Sequence, residues 1–174
     1  MVSSLVLGMG LPTAAAYILV ATLTAPALVS MGVDLMAAHM FVFYSAMLSS
    51  ITPPVALAAF AAAAISRDPP MRVSMVAVKY GFVAFLLPYF FVIEPRLLGE
   101  GSLLEIAGIF VTSVIGILVL ACVIQGQFIN RIPLAIRGLL GVAAIALLMP
   151  DTTYKITGAA IVVAVLIAKK LAKT

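Results

Sequence analysis

Two short stretches hold most of the residues able to do chemistry in this chain: Gly8-Met9-Gly10-Leu11-Pro12-Thr13 and Ser49-Ser50-Ile51-Thr52-Pro53-Pro54. Prolines remove backbone donors and bar the preceding residue from helical angles, while glycines permit tight turns. Freed carbonyls and neighbouring hydroxyls can coordinate a cation, and a helix that starts after the break offers unpaired amides and a positive dipole end to an anion. Catalytic machinery is not expected. His39 is the one histidine, H-E-x-x-H and G-x-S-x-G are absent, and Gly8-x-Gly10 lacks the third glycine and the strand of a dinucleotide site. Cys122 is the one cysteine, so neither an intrachain disulfide nor a cysteine metal cluster is available, and no cofactor is expected.

The elements that must position these breaks are membrane helices. Of 174 residues, 65% are hydrophobic and 9% are charged, and the mean hydropathy is +1.30. A soluble domain runs near 45 to 50% apolar and about 25% charged, so a soluble fold is excluded. The net charge of +4 comes from ten basic residues scattered between lipid-length apolar runs, which leaves no continuous basic face for nucleic acid. Residues 1–66 contain Asp34 but no Lys or Arg. The expectation is an all-α, polytopic membrane protein of about five to six transmembrane segments, in contact with membrane lipids, with apolar runs near 11–30, 35–66, 75–93, 106–126, 132–149 and 154–172.

The second run is too long for one plain span. At about 1.5 Å per residue it would exceed a hydrocarbon core of about 30 Å, so the Ser49–Pro54 stretch is expected to divide it into helices of about 35–48 and 54–66. The run that begins at Gly8-Met9-Gly10 is expected to turn and then enter a helix at Pro12-Thr13. Pro26 bends that helix late or ends it near Gly32, and Asp34 is the N-cap of the next. Non-helical backbone at membrane depth survives only inside protein or around a polar cavity, which makes both breaks site candidates. The competing reading takes Pro53-Pro54 as a mere kink and Gly8–Thr13 as the disordered beginning of the chain.

Other polar residues receive structural readings. His39 is read as a hydrogen-bonded packing residue, and Lys79 and Arg137 as anchors whose long stems snorkel to the interface. Gly108, Thr112 and Gly116 form a small-residue stripe for helix packing, as do Ala58, Ala59 and Ala61 to Ala64. The positive-inside rule orients the chain. Arg67, Arg72, Lys79, Arg131, Arg137, Lys169, Lys170 and Lys173 fall at one set of helix ends, against Arg96 and Lys155 at the other, where Glu94, Glu100, Glu105 and Asp151 also lie. The first set, with the C-terminus, is expected to be cytoplasmic.

The segment GMGLPTAAAYILVATLTAPALVSMGVDLMAAHMFVFYSAMLSSITPPVALAAFAAAAISRDPP resembles the late part of the large permease subunit of the tripartite ATP-independent periplasmic (TRAP) transporters. The resemblance covers residues 1–95, and its most specific piece is ITPPVALAAFAAAAI at 51–65. Residues 96–174 carry extra C-terminal transmembrane helices, of which 103–172 resemble those of the fused form, in which small and large membrane subunits share one chain. The resemblance implies an elevator-type secondary transporter in the bacterial inner membrane, driven as a symporter by a sodium or proton gradient. Its substrate would be a small organic acid delivered by a periplasmic solute-binding protein. Gly8, Met9, Gly10, Pro12 and Thr13 would form the tip of a re-entrant hairpin, facing Ser49, Ser50, Thr52, Pro53 and Pro54 in a discontinuous helix. A sodium ion would lie near Gly10, Thr13, Ser50 and Thr52. Ala56 and Ala58 stand where many members of that family carry Gly and Asn, so an amide contact is missing. The first hairpin, the scaffold helices and the opening limb of the second hairpin are not found, so the chain is expected to be the closing portion of a permease that works with its remaining part. The alternative is a non-transporting accessory or assembly subunit of the membrane.

Overall fold

The computed structural model describes residues 1–99, 101–128 and 130–171; Glu100 and Lys173, used above for orientation, lie outside the described residues. The chain is an all-α polytopic membrane protein. Its helices are α1 (Val2–Gly8), α2 (Thr13–Ser30), α3 (Leu35–Leu48), α4 (Leu57–Ser66), α5 (Pro70–Ile93), α6 (Leu103–Gln125), α7 (Leu134–Leu148) and α8 (Thr152–Leu171). Short 3₁₀ turns follow α3 at Ser49–Ile51 and α5 at Pro95–Leu98. The only extended pairing among the described residues is the antiparallel contact of β1 (Gln127–Phe128) with β2 (Asn130–Arg131), a tight link between α6 and α7. Three helices, α2, α5 and α6, are long and apolar enough to cross a membrane, and shorter apolar helices cover 35–51, 57–66, 134–148 and 152–168.

The chain divides into two compact units, Met1–Leu98 and Gly99–Thr174. In the first, α3 is central. Asp34 caps it, accepting from the amides of Met36 at 2.8 Å and Ala37 at 3.0 Å, which meets two donors that the first turn leaves unpaired. Val42 of α3 packs with Val20 and Ala25 of α2. Edge-to-face ring pairs, Phe41 with Tyr89 and Tyr44 with Phe91, join α3 to α5. The packing reading of His39 holds, since the Tyr17 hydroxyl lies 2.9 Å from its Nδ1 and ties α2 to α3. Pro26 lies inside α2, which runs to Ser30 and so ends near Gly32 as expected; the chain turns at Gly32, whose φ of +89° suits a residue without a Cβ.

In the second unit α6, α7 and α8 are joined by short links. Ile132, Leu140, Ala143, Leu147, Val162 and Val165 form its core. A capping box starts α6: the Ser102 hydroxyl accepts from the Glu105 amide while the Glu105 carboxylate accepts from the Ser102 amide. Arg137 does more than the anchoring expectation gave it. Its guanidinium donates to the carbonyls of Val123 and Ile124, so at this helix end it also caps α6. The physical cause is local: Gly126, at φ +73°, ends α6 in a left-handed turn that brings the orphaned carbonyls beside the start of α7.

The small-residue stripe on α6 is used at one position. A Cβ on Gly116 would come within 3.0 Å of Leu148 and 3.2 Å of Leu147, whereas one on Gly108 would meet nothing within 4 Å. The tightest approach is elsewhere, where a Cβ on Gly158 of α8 would lie 2.7 Å from the Ala143 carbonyl oxygen and 3.1 Å from the Leu147 amide. Close backbone contact of this kind substitutes for the hydrophobic drive that lipid does not supply. Gly158→Ala should therefore cost about 1 to 3 kcal/mol as α8 is pushed from α7, while Gly108→Ala changes stability little. Reversible unfolding in mixed micelles measures both, and equal costs at the two glycines would contradict the packing.

Candidate functional site

The site begins with the problem of ending α3 inside an apolar layer. Its last four carbonyls have no intrahelical partner unless the following residues supply one. Here the Ser49 amide bonds the Ser45 carbonyl. The hydroxyls of Ser49, Ser50 and Thr52 donate to the carbonyls of Ala46 at 2.6 Å, Met47 at 2.7 Å and Leu48 at 2.8 Å. A hydroxyl whose proton is committed inward presents its oxygen only as an acceptor. Three acceptor oxygens thus stand in sequence at the helix break, the Ser49 one buried, together with the backbone of a turn segment that is free of regular helix.

That segment is longer than the sequence suggests. The second half-helix starts at Leu57, not at Pro54, and residues Thr52 to Ala56 lie outside it, with a cis bond between Pro53 and Pro54. Thr52 and Pro53 each precede a proline and are kept from helical angles. Val55 is partly exposed and lies beside Gly10, its Cγ1 3.4 Å from where a Cβ on Gly10 would stand, and Ala56 is fully buried. Neither α2, entered through Pro12, nor α4, entered through Ala56, has a side-chain cap on its first amides. Ala58 is exposed in the first turn of α4.

The first break meets the second. Gly8 is the last residue of α1 and is buried; a Cβ there would stand 2.9 Å from Ser49 Oγ and 3.5 Å from the Ala46 Cα. Gly10, at φ +78°, turns the chain toward α2. From the other side Ile51 packs on α5, its Cδ1 3.0 Å from the Cβ position of Gly81. The structure therefore brings together Gly8, Gly10, Ser49 and Val55, with Ser50, Thr52, Pro53 and Pro54 in the same segment. Met9 and Pro12 complete the turn between α1 and α2. Thr13 is the first residue of α2 and is exposed, with no hydroxyl contact to the second break among the described residues.

Sequence reasoning missed two residues of this seam. Ser45, one turn before Ser49, is fully buried and donates to the Phe41 carbonyl at 2.7 Å. Ser4, one turn before Gly8, is fully buried, and its hydroxyl has no hydrogen-bond partner among the described residues. The signal was present as a pair of four-residue spacings, Ser4 to Gly8 and Ser45 to Ser49, each placing two small residues on one helical face.

Against known families, the one described as "Tripartite ATP-independent periplasmic transporter, DctM component" matches residues 1–106, well over half of the chain. The chain belongs to that family. The match contains both breaks and every helix of the first unit. Comparison with curated proteins and with solved structures gave no match. The resemblance noted on ITPPVALAAFAAAAI is thus borne out, and the family is one of transporters, not of enzymes.

The fit of Gly8 against Ser49 is directly testable. Gly8→Ala should destabilise the first unit by about 1 to 3 kcal/mol through overpacking, and adding Ser49→Ala should return part of that cost by removing the oxygen 2.9 Å away. A double-mutant cycle in micelles showing strictly additive effects would separate the two breaks.

Proposed function

We propose that this TRAP-family chain contributes the meeting point of its two breaks to the solute and ion pathway of an inner-membrane permease. In this reading the permease moves a small organic acid, delivered by a periplasmic binding protein, and works with the remaining part of the transporter. A sodium gradient drives uptake, with protons as the alternative coupling ion. Residues 1–95 provide the transport elements and 96–174 the extra helices, with the C-terminus in the cytoplasm.

The observation that carries the proposal is the state of the hydroxyls at the end of α3. Ser50 and Thr52 spend their protons on helix carbonyls and stay partly exposed, so what they offer to the break is oxygen lone pairs, while the Ser49 oxygen is covered by Gly8. Such a set receives a cation and repels a carboxylate. The carboxylate has a different receptor close by: the uncapped first amides of α2 and α4, whose starts follow the Gly10–Val55 contact within three residues on each strand of chain. Helix amides and the positive dipole end favour an anion. A cation bound at the hydroxyls would also lower the cost of bringing the carboxylate into the membrane, since opposite charges attract strongly where the dielectric is low. That mutual stabilisation is the physical basis of symport here. Thr13, exposed at the first turn of α2, would be a ligand from the substrate side.

In the assembled transporter, Thr52→Ala and Thr13→Ala should each lower uptake and raise the sodium concentration needed for half-maximal rate. Uptake with unchanged rate and unchanged sodium dependence in both would remove these residues from the site. After Cys122→Ala, single cysteines at positions 10 and 52 should react with a membrane-impermeant thiol reagent, and added substrate should slow the reaction. Lasting inertness at both positions would favour a lipid-facing kink and an accessory role for the chain.

A further inference from the structure

The second unit contains a cavity that the transport reading leaves unused. It has a volume of about 190 Å³ and lies between Leu118, Val119 and Cys122 of α6, Leu140 of α7, and Val165 and Leu166 of α8. Its wall is apolar throughout. An apolar void of about 150 Å³ stays dry and accepts a small hydrocarbon, so water is not the natural filling here. The mouth is open to the outer surface of the unit, where Leu118 is 60% and Leu166 45% exposed. In a bilayer the medium at that mouth is lipid chains.

Charge distinguishes the two ends of this unit. Because α6, α7 and α8 follow one another through short links, the end of α6, the start of α7 and the end of α8 lie together. That end carries Arg131, Arg137, Lys169 and Lys170 in the chain and no carboxylate, while Glu105, Asp151 and Lys155 belong to the opposite end. Arg137 stands one turn before Leu140, which lines the cavity. Its Nε and Nη2 are committed to the α6 carbonyls, and no carboxylate balances its charge among the described residues.

We propose that this unit holds an anionic glycerophospholipid, with one acyl chain in the α6–α7–α8 cavity and its phosphate at the Arg137 end. A lipid chain gains no hydrophobic free energy by exchanging bilayer for cavity, so the chain supplies close packing and the headgroup supplies selection. A guanidinium held in place by two carbonyls is a preorganised phosphate receptor, and clustered basic residues at a membrane surface add attraction. A neutral phospholipid would fit the cavity equally well but leave the charges unanswered.

The test is native mass spectrometry of the full chain released from bilayers containing equal phosphatidylglycerol and phosphatidylcholine with the same acyl chains. Retained phosphatidylglycerol should exceed phosphatidylcholine by about fivefold for each basic residue engaged. Arg137→Lys should keep the preference and Arg137→Gln should reduce it. Leu166→Trp, which blocks the mouth and leaves every charge in place, should reduce retention of both lipids. In lipid-free detergent Cys122 should react with N-ethylmaleimide, and added phosphatidylglycerol should slow that reaction more than phosphatidylcholine does. Equal retention of the two lipids, full retention by Leu166→Trp, or a Cys122 already unreactive without lipid because protein covers the cavity, would each overturn the proposal.

Discussion

The first unit depends on how one helix is allowed to stop. An α-helix that ends in an apolar layer exposes four carbonyls to surroundings that cannot solvate them, and each unsatisfied group costs several kcal/mol. At the end of α3 the chain answers with three hydroxyls and one amide drawn from the next four residues. This local solution makes the break stable enough to exist, and it determines what the break can bind. With the protons turned inward, the oxygens left over are acceptors.

The same solution dictates the neighbours. Hydroxyls that fold back onto their own helix leave a narrow surface around Ser49, and only a residue without a side chain can come against it. Gly8 fills that place at the end of α1, Gly10 lies over Val55, and Gly81 makes room for Ile51. Close approach at Gly8 and Gly81 binds α1, the 3₁₀ turn and α5 around the end of α3. The buried hydroxyl of Ser4, without a hydrogen-bond partner among the described residues, lies one turn from Gly8. A buried polar group without a partner is expensive, and such expense is tolerated most often where a protein binds something.

The second unit shows the same economy applied to plain packing. Gly158 lets α8 touch the backbone of α7, Gly116 admits Leu147 and Leu148, and Arg137 completes the end of α6. Charged residues are not scattered over it: basic positions gather where α6 and α8 end, and the acidic ones sit where α6 begins and α7 meets α8. In a soluble protein such segregation would be costly self-repulsion. Across a bilayer such segregation is the kind of signal that orients helices, and clustered basic residues attract anionic headgroups.

Apolar run length and proline placement determined, from the sequence alone, that this chain is helical, belongs in lipid and breaks between α3 and α4. These are properties of local backbone chemistry: a proline cannot donate wherever it stands, and twenty apolar residues have no stable place in water. The Asp34 cap and the packing role of His39 were legible for the same reason. What only the tertiary structure decided is which backbone groups meet. The start of α4 at Leu57 goes with the burial of Ala56 just before it, and the role of Arg137 depends on where Gly126 turns the chain. The four-residue spacings of Ser4 and Ser45 were present in the sequence but not decisive, because a serine in an apolar helix has the same signature whether it faces lipid or a seam. Contacts between residues forty positions apart carry no local signal, and it is those contacts that bring Gly8 to Ser49 and make two interruptions into one place.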